Sequence, residues 1–165
     1  ESKQLGISFF TYYLHQTLMA VNAVENFRLR ICNDEVFLHD SISASATVMR
    51  EDKTFGFSLM EFTENIQDFA KIVTSEIDRI QTTTGIITTE YPENLIHFSA
   101  LPWIDFTSLS HARSFTWPDS CPKISFGKLM DANGKKNIPV SVHVHHGLVD
   151  GYHVGLFLEK LQELL

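Results

Sequence analysis

Few cysteines, no long apolar run and little positive charge mark this 165-residue chain. The two cysteines, Cys32 and Cys121, lie far apart and form no CxxC pair, so neither a disulfide framework nor a cysteine-ligated zinc site is indicated. Two free thiols in a reducing cytoplasm are the expectation. No apolar stretch approaches the roughly 18 residues that a membrane span needs. Thirteen Lys plus Arg stand against 20 Asp plus Glu, a formal net charge of −7. That balance disfavours a protein that follows phosphate backbones with a basic face. The chain opens Glu-Ser-Lys-Gln, with no initiator methionine and neither the basic nor the apolar region of a signal peptide. A leading segment of the protein is therefore expected to be absent from the sequence.

What remains is an ordinary globular composition, 44% hydrophobic and 20% charged, with 13 Phe to fill a core. The length fits one domain, and no repeat, linker or low-complexity segment divides it. Ile7, Phe10, Leu14, Leu18 and Val21 recur at helical spacing, which predicts a helix over 8–24. Short β-rich runs at 27–32 and 35–39 flank Asn33-Asp34, and the alternation of Ile42, Ala44, Ala46 and Val48 predicts a strand over 41–48. Phe62, Ile66, Phe69, Ala70, Val73, Ile77 and Ile80 mark a second helix that ends at the Thr82-Thr83-Thr84-Gly85 breaker.

Strands are predicted over 95–100 and 104–109, on either side of Pro102, and over 123–130 and 137–144. The last two flank Asp131-Ala132-Asn133-Gly134, the clearest hairpin signal in the chain. Val154, Phe157, Leu158, Leu161 and Leu165 line a closing helix. The order predicts an α+β fold, a two-layer sandwich whose mixed β-sheet is covered by helices.

The stretch richest in chemistry is His143-Val144-His145-His146-Gly147-Leu148-Val149-Asp150-Gly151. Strand alternation puts His143 and His145 on one face and His146 on the other. Asp150 suits the N-cap of the helix that follows. Three readings are open: ordinary satisfied histidines; a metal site at His143 and His145, which lacks a third ligand; or a general base at a strand end beside a carboxylate that fixes the local geometry.

His145-His146-Gly-Leu-Val-Asp150-Gly151 fits HHxxxDG, and Ser99-Ala100-Leu101-Pro102-Trp103-Ile104-Asp105-Phe106-Thr107-Ser108 fits SALPWxxFxS. Together they resemble the chloramphenicol acetyltransferase family, with matching spacing and with Phe9 through Arg28 resembling its first long helix and next strand. The first motif alone is shared with peptide-synthetase condensation domains and, in variant form, with the acyltransferase core of 2-oxo-acid dehydrogenase complexes. The resemblance covers essentially the whole chain. It implies a CoA-dependent acyltransferase-like fold, here a single acyltransferase domain over residues 1–165 lacking its N-terminal segment. It also implies a cytoplasmic homotrimer with the active site at the subunit interface.

By that resemblance His146 is the base that takes the proton of an acceptor hydroxyl, which attacks the thioester of acetyl-CoA directly, without an acyl-enzyme and without a metal. Chloramphenicol is the leading acceptor, and its acetylation is antibiotic resistance. Ser108 is implied to hydrogen-bond the tetrahedral oxyanion, and Asp150 to be structural, bonded to an arginine from the absent segment. Ser125 falls where a threonine helps solvate the transition state through water, and Lys128 where a lysine lies near the CoA phosphates. Thr54 and Phe62 match acceptor-pocket positions. His143 stands in place of a glutamine beside the acceptor, Ala112 in place of an asparagine, and Trp117-Pro118-Asp119-Ser120 brings polar residues to an apolar part of the pocket. These departures leave open an acyltransferase of the same fold acting on another hydroxyl or on a lipoyl-type thiol. From another class, a non-catalytic trimeric protein could hold a hydrophobic ligand in the same tunnel.

Overall fold

The structure is a computed structural model that describes residues 1–87, 89–111 and 119–165. Among these, three α-helices and nine strands follow the chain. Helix α1 spans Phe9–Ala23, capped by Ser8, whose side chain accepts from the Thr11 N–H. The sequence shows one apolar stripe on α1, but Thr11, Tyr12, Tyr13, Leu14, His15, Thr17, Leu18, Ala20 and Val21 are all buried. The reason is position: α1 lies between the other two helices and the sheet, so almost its whole circumference is covered.

A 3₁₀ turn over Glu25–Arg28 takes the place of the first half of the strand predicted at 27–32. Phe27 is fully buried there and stacks on Phe157 at 4.9 Å, which bends the chain before strand β1 (Leu29–Cys32) can start. Strand β2 (Glu35–Leu38) returns antiparallel to β1. Asn33 and Asp34 have φ of 51° and 63°, the left-handed pair that a two-residue hairpin turn needs.

Strands β3 (Ser43–Met49), β4 (Phe55–Phe57), β5 (Leu95–Ala100), β6 (Lys123–Phe126) and β9 (Val140–His143) form one mixed sheet in the order β4-β3-β5-β6-β9. The central three are parallel and the two edges antiparallel. Helix α2 (Ile66–Thr82) makes the crossover from β3 and β4 to β5, starting at Asn65, which accepts from the N–H groups of Gln67 and Asp68. Helix α3 (Gly151–Leu164) closes the fold. The sheet register divides the strand side chains cleanly. Ala46, Phe98, Ile124 and Val142 form one row and Ala100, Phe126 and Val140 another, both set against the core that the helices share. Ser45, His97, Lys123 and His143 form a row on the opposite face, followed by Ser99, Ser125 and Ser141.

Three strand predictions need correction. Residues 104–109 form no strand: Pro102 and Trp103 sit in a turn, and the Ile104 N–H donates back to Leu101 at 3.0 Å. The strand predicted over 123–130 breaks after Phe126 and resumes as β7 (Met130–Ala132), and that over 137–144 divides into β8 (Lys135–Asn137) and β9. Both breaks lie where Gly127 faces Pro139, the Gly127 N–H donating to the Pro139 carbonyl at 2.9 Å. The β7–β8 hairpin turns at Asn133 and Gly134, φ 55° and 79°, as the sequence predicts.

His15, only 4% exposed, donates from Nε2 to the Thr63 carbonyl at 3.0 Å and stacks beside Phe62. Burial holds its pKa below the ordinary 6.5, so folding favours the neutral ring. The stabilisation is complete above pH 6.5 and is lost as pH falls through the lowered folded value. Urea titrations between pH 7.5 and 5.5 should therefore show wild-type stability dropping more steeply than that of His15→Gln, by up to about 1.4 kcal/mol per pH unit for one proton. Equal slopes would remove the account.

Candidate active site

Strand β9 ends at His143, three residues short of the His146 end that strand alternation at His145 and His146 requires. The alternation expected for that pair is corrected accordingly: a turn, not a pleat, separates them. The His145 carbonyl accepts from Leu148 N–H at 2.9 Å and from Val149 N–H at 3.0 Å, so the chain reverses around His146. His146 is exposed at this turn, while His145 is half-buried with Nδ1 covered and without a partner among the described residues. Asp150 caps α3, accepting from the N–H groups of Tyr152 at 3.0 Å and His153 at 3.3 Å. These backbone bonds, that from His153 foremost, hold its carboxyl below the usual range.

Ser108 is exposed on the irregular segment that follows Pro102. That segment is pinned by its approach to Gly127: the Lys128 N–H donates to the Ile104 carbonyl at 2.7 Å. A Cβ on Gly127 would meet the Pro139 ring at 2.6 Å, the Ile104 carbonyl at 2.7 Å and the Phe106 ring at 2.9 Å. Lys128 is exposed, and among the described residues no carboxylate pairs with it.

Of the predicted site residues, Ser125 and His143 come together on the polar face of the sheet. His111, which the sequence reading passes over, joins them. Its Nε2 lies 3.1 Å from Ser125 Oγ, and its ring stands edge-on to that of His143, centroids 4.9 Å apart. His143 Nδ1 is 3.3 Å from Ser141 Oγ. A cavity of about 80 Å³ is lined by His111, Lys123, His143, Val144 and His145, with Asp119 and Cys121. The last two also line a neighbouring cavity of about 330 Å³, which runs to Arg30, Ser45, His97 and Ser120. Lys123 pairs with Asp119.

Thr54 and Phe62 lie elsewhere. Thr54 braces a turn, its Oγ1 donating to Asp52 at 2.7 Å and accepting from Arg50 at 3.2 Å. Phe62 packs on the core side beside His15. Ala112, Trp117 and Pro118 fall outside the described residues. Among the described residues no three His, Cys, Asp or Glu side chains are grouped to share a metal ion, and no helix is long and apolar enough to cross a membrane.

Residues 1–162 match the chloramphenicol acetyltransferase family profile. This chain belongs to the chloramphenicol acetyltransferase family. It is similar to the chloramphenicol acetyltransferase of Bacillus pumilus, 31% identical over 165 residues, 99% of this chain and 75% of the relative. It is also similar to chloramphenicol acetyltransferase 3 of Escherichia coli, 32% identical over 168 residues, 98% of this chain and 78% of the relative. A solved chloramphenicol acetyltransferase superposes with a TM-score of 0.88 at 28% identity, covering 99% of this chain and 80% of that one. A probable dihydrolipoamide acetyltransferase from Listeria monocytogenes shares the fold, TM-score 0.70 at 11% identity, over 99% of this chain and 73% of that one. The α+β fold with its mixed sheet is thus that of the chloramphenicol acetyltransferase family, as the sequence reading expects.

The segment that bears Ser108 is held here through Gly127, which gives a direct test. Gly127→Ala should drive the 104–108 segment off β6 and lower stability by about 1–3 kcal/mol, the usual penalty of overpacking. Chemical denaturation reads the loss. A variant as stable as the wild type would mean that the segment is not fixed by this contact.

Proposed function

We propose that this chain transfers the acetyl group of acetyl-CoA to a hydroxyl of chloramphenicol, inactivating the antibiotic in the cytoplasm. The observation that carries the reading is the exposed His146 in the turn between β9 and the Asp150-capped helix, in a chain matched over nearly all its length by proteins named chloramphenicol acetyltransferases. His146 takes the proton of the acceptor hydroxyl as the oxygen attacks the thioester carbonyl. The tetrahedral intermediate collapses with cleavage of the C–S bond, and the proton returns to the departing CoA sulfur. An imidazole suits both transfers because its pKa lies near neutrality. Ser108 donates to the oxyanion of the intermediate. Asp150 acts structurally, through the helix start that positions the turn. Lys128, exposed and free of an ion pair among the described residues, is available to the CoA phosphates. His143 and, behind His111, Ser125 border the acceptor.

A homotrimer completes the site in this reading. His146 and Ser108 are both exposed on the single chain, and neither lines the two cavities of the sheet face. A neighbour's pocket facing His146 accounts for both. The polar lining of those cavities, Asp119, Ser120 and His143, favours one second reading: the same transfer to a different hydroxyl or to a lipoyl-type thiol.

Release of the CoA thiol from acetyl-CoA, followed with chloramphenicol and with a panel of other hydroxyl and thiol acceptors, decides between them. Saturable release with chloramphenicol is expected; release only with another acceptor removes the named substrate, and none at all removes the enzyme. His146→Ala should abolish nearly all turnover while acetyl-CoA still binds. Ser108→Ala should lower kcat about 10²-fold through loss of one oxyanion donor. His145→Ala should act through stability, so a folded His145 variant more damaged in turnover than the His146 variant would show that the wrong histidine has been assigned.

A further inference from the structure

Ser125 has no exposed surface, and it does not line the cavity beside it. His111 does, and His111 is the side-chain partner described for the Ser125 hydroxyl. The imidazole therefore stands between the serine and the space in which an acceptor would lie. A buried hydroxyl proton left without an acceptor is costly. The His111 Nε2, 3.1 Å away, is the side-chain acceptor within its reach among the described residues. A neutral imidazole that accepts at Nε2 must carry its own proton on Nδ1.

The surroundings keep the ring neutral. Burial comes first, and His143, Lys123 and His97 all oppose a positive charge on His111, so its pKa lies below the ordinary 6.5. His143 holds the ring edge-on and is itself within reach of Ser141 Oγ. Lys123 is occupied by Asp119. The wall that results is built largely of hydrogen-bonding imidazoles.

We propose that His111 is a specificity-determining residue of the acceptor site: Ser125 fixes its Nδ1–H tautomer from behind, so that the ring offers a hydrogen-bond donor to an acceptor carrying an oxygen beside the hydroxyl that is acylated. This rests on the transferase reading above and adds the chemical class of acceptor that the site prefers. Chloramphenicol, whose two hydroxyl-bearing carbons flank the carbon that carries the amide nitrogen, is a usable probe.

Two measurements test it. Nitrogen-detected NMR of the His111 ring at pH 7.5 should give an unprotonated Nε2 and a protonated Nδ1, and Ser125→Ala should shift the ring toward a mixture of tautomers. This readout needs no turnover, so it judges the tautomer even if CoA release fails and the transferase reading falls with it. A protonated Nε2, or a spectrum indifferent to Ser125→Ala, overturns the proposal.

In steady-state assays with chloramphenicol, His111→Phe should raise KM about three- to tenfold, the factor that one neutral hydrogen bond is worth, with kcat changed less. His111→Gln, which keeps a donor, should stay within about twofold of wild type, a partial rescue in the sense of a retained hydrogen bond. Thermal unfolding of each variant separates this KM effect from loss of fold. A folded His111→Phe protein with unchanged KM would overturn the assignment, as would a Gln variant as impaired as the Phe variant.

Discussion

The two-faced register of β5 and β6 is the constraint on which the rest of the molecule depends. Phe98 and Phe126 point into the core, where they meet Tyr13 at centroid distances of 5.9 Å and 4.9 Å and each other at 5.4 Å. Each phenylalanine so buried contributes about 1.5–3 kcal/mol relative to exposure. Their neighbours His97 and Ser125 point the other way. A slip of one residue would exchange the two sets, placing an imidazole and a hydroxyl among apolar side chains and two aromatic rings in the polar row. The penalty applies on both faces at once. The same aromatic packing that holds α1 on the sheet therefore fixes which residues make up its polar face.

That division explains what was legible in the sequence. Helices α1, α2 and α3 were visible because their apolar residues repeat at helical spacing, and the turns at Asn33-Asp34 and Asn133-Gly134 because only a few residue types tolerate φ near +55°. Motif spacing singled out Ser108, His146 and Asp150 as candidates without any knowledge of the sheet. Less visible were features that depend on contacts distant along the chain. The run from Ile104 to Leu109 is apolar enough for a strand, but its backbone is drawn to Lys128 and Gly127 rather than to a partner strand. His111 is an unremarked histidine in a serine-rich loop until the parallel pairing of β5 with β6 brings Ser125 beneath it. Phe62 and Thr54 are expected at the pocket by the family resemblance alone; what the structure shows is their local partners, His15 for one and Arg50 with Asp52 for the other.

Gly127 and Pro139 show how two residues that weaken strands can anchor a loop. Neither suits the interior of a regular ladder, the first for lack of a side chain and the second for lack of an N–H. Placed opposite each other, they end β6 and delay β9, and the Gly127 N–H uses the proline carbonyl that remains. The absent Cβ leaves room for the Ile104 carbonyl and the Phe106 ring to close over the gap. The loop bearing Ser108 is thus anchored two residues before the serine, at Phe106, by contact with the sheet that carries Ser125.

The turn after β9 completes the arrangement by a different economy of space. The strand is paired up to His143, opposite Lys123, and α3 must begin at Gly151, so the chain has seven residues in which to leave the sheet and start a helix. Two N–H groups converge on the His145 carbonyl, and the His145 ring lies so close to residue 147 that a Cβ there would meet it at 3.1 Å and 3.2 Å. Glycine at 147 admits the ring, Leu148 and Val149 fix the exit by their burial, and Asp150 satisfies the first free N–H groups of the helix. With His145 held against the turn and the two following apolar residues drawn inward, His146 is the histidine left facing outward. Its exposure follows from the burial of its neighbours.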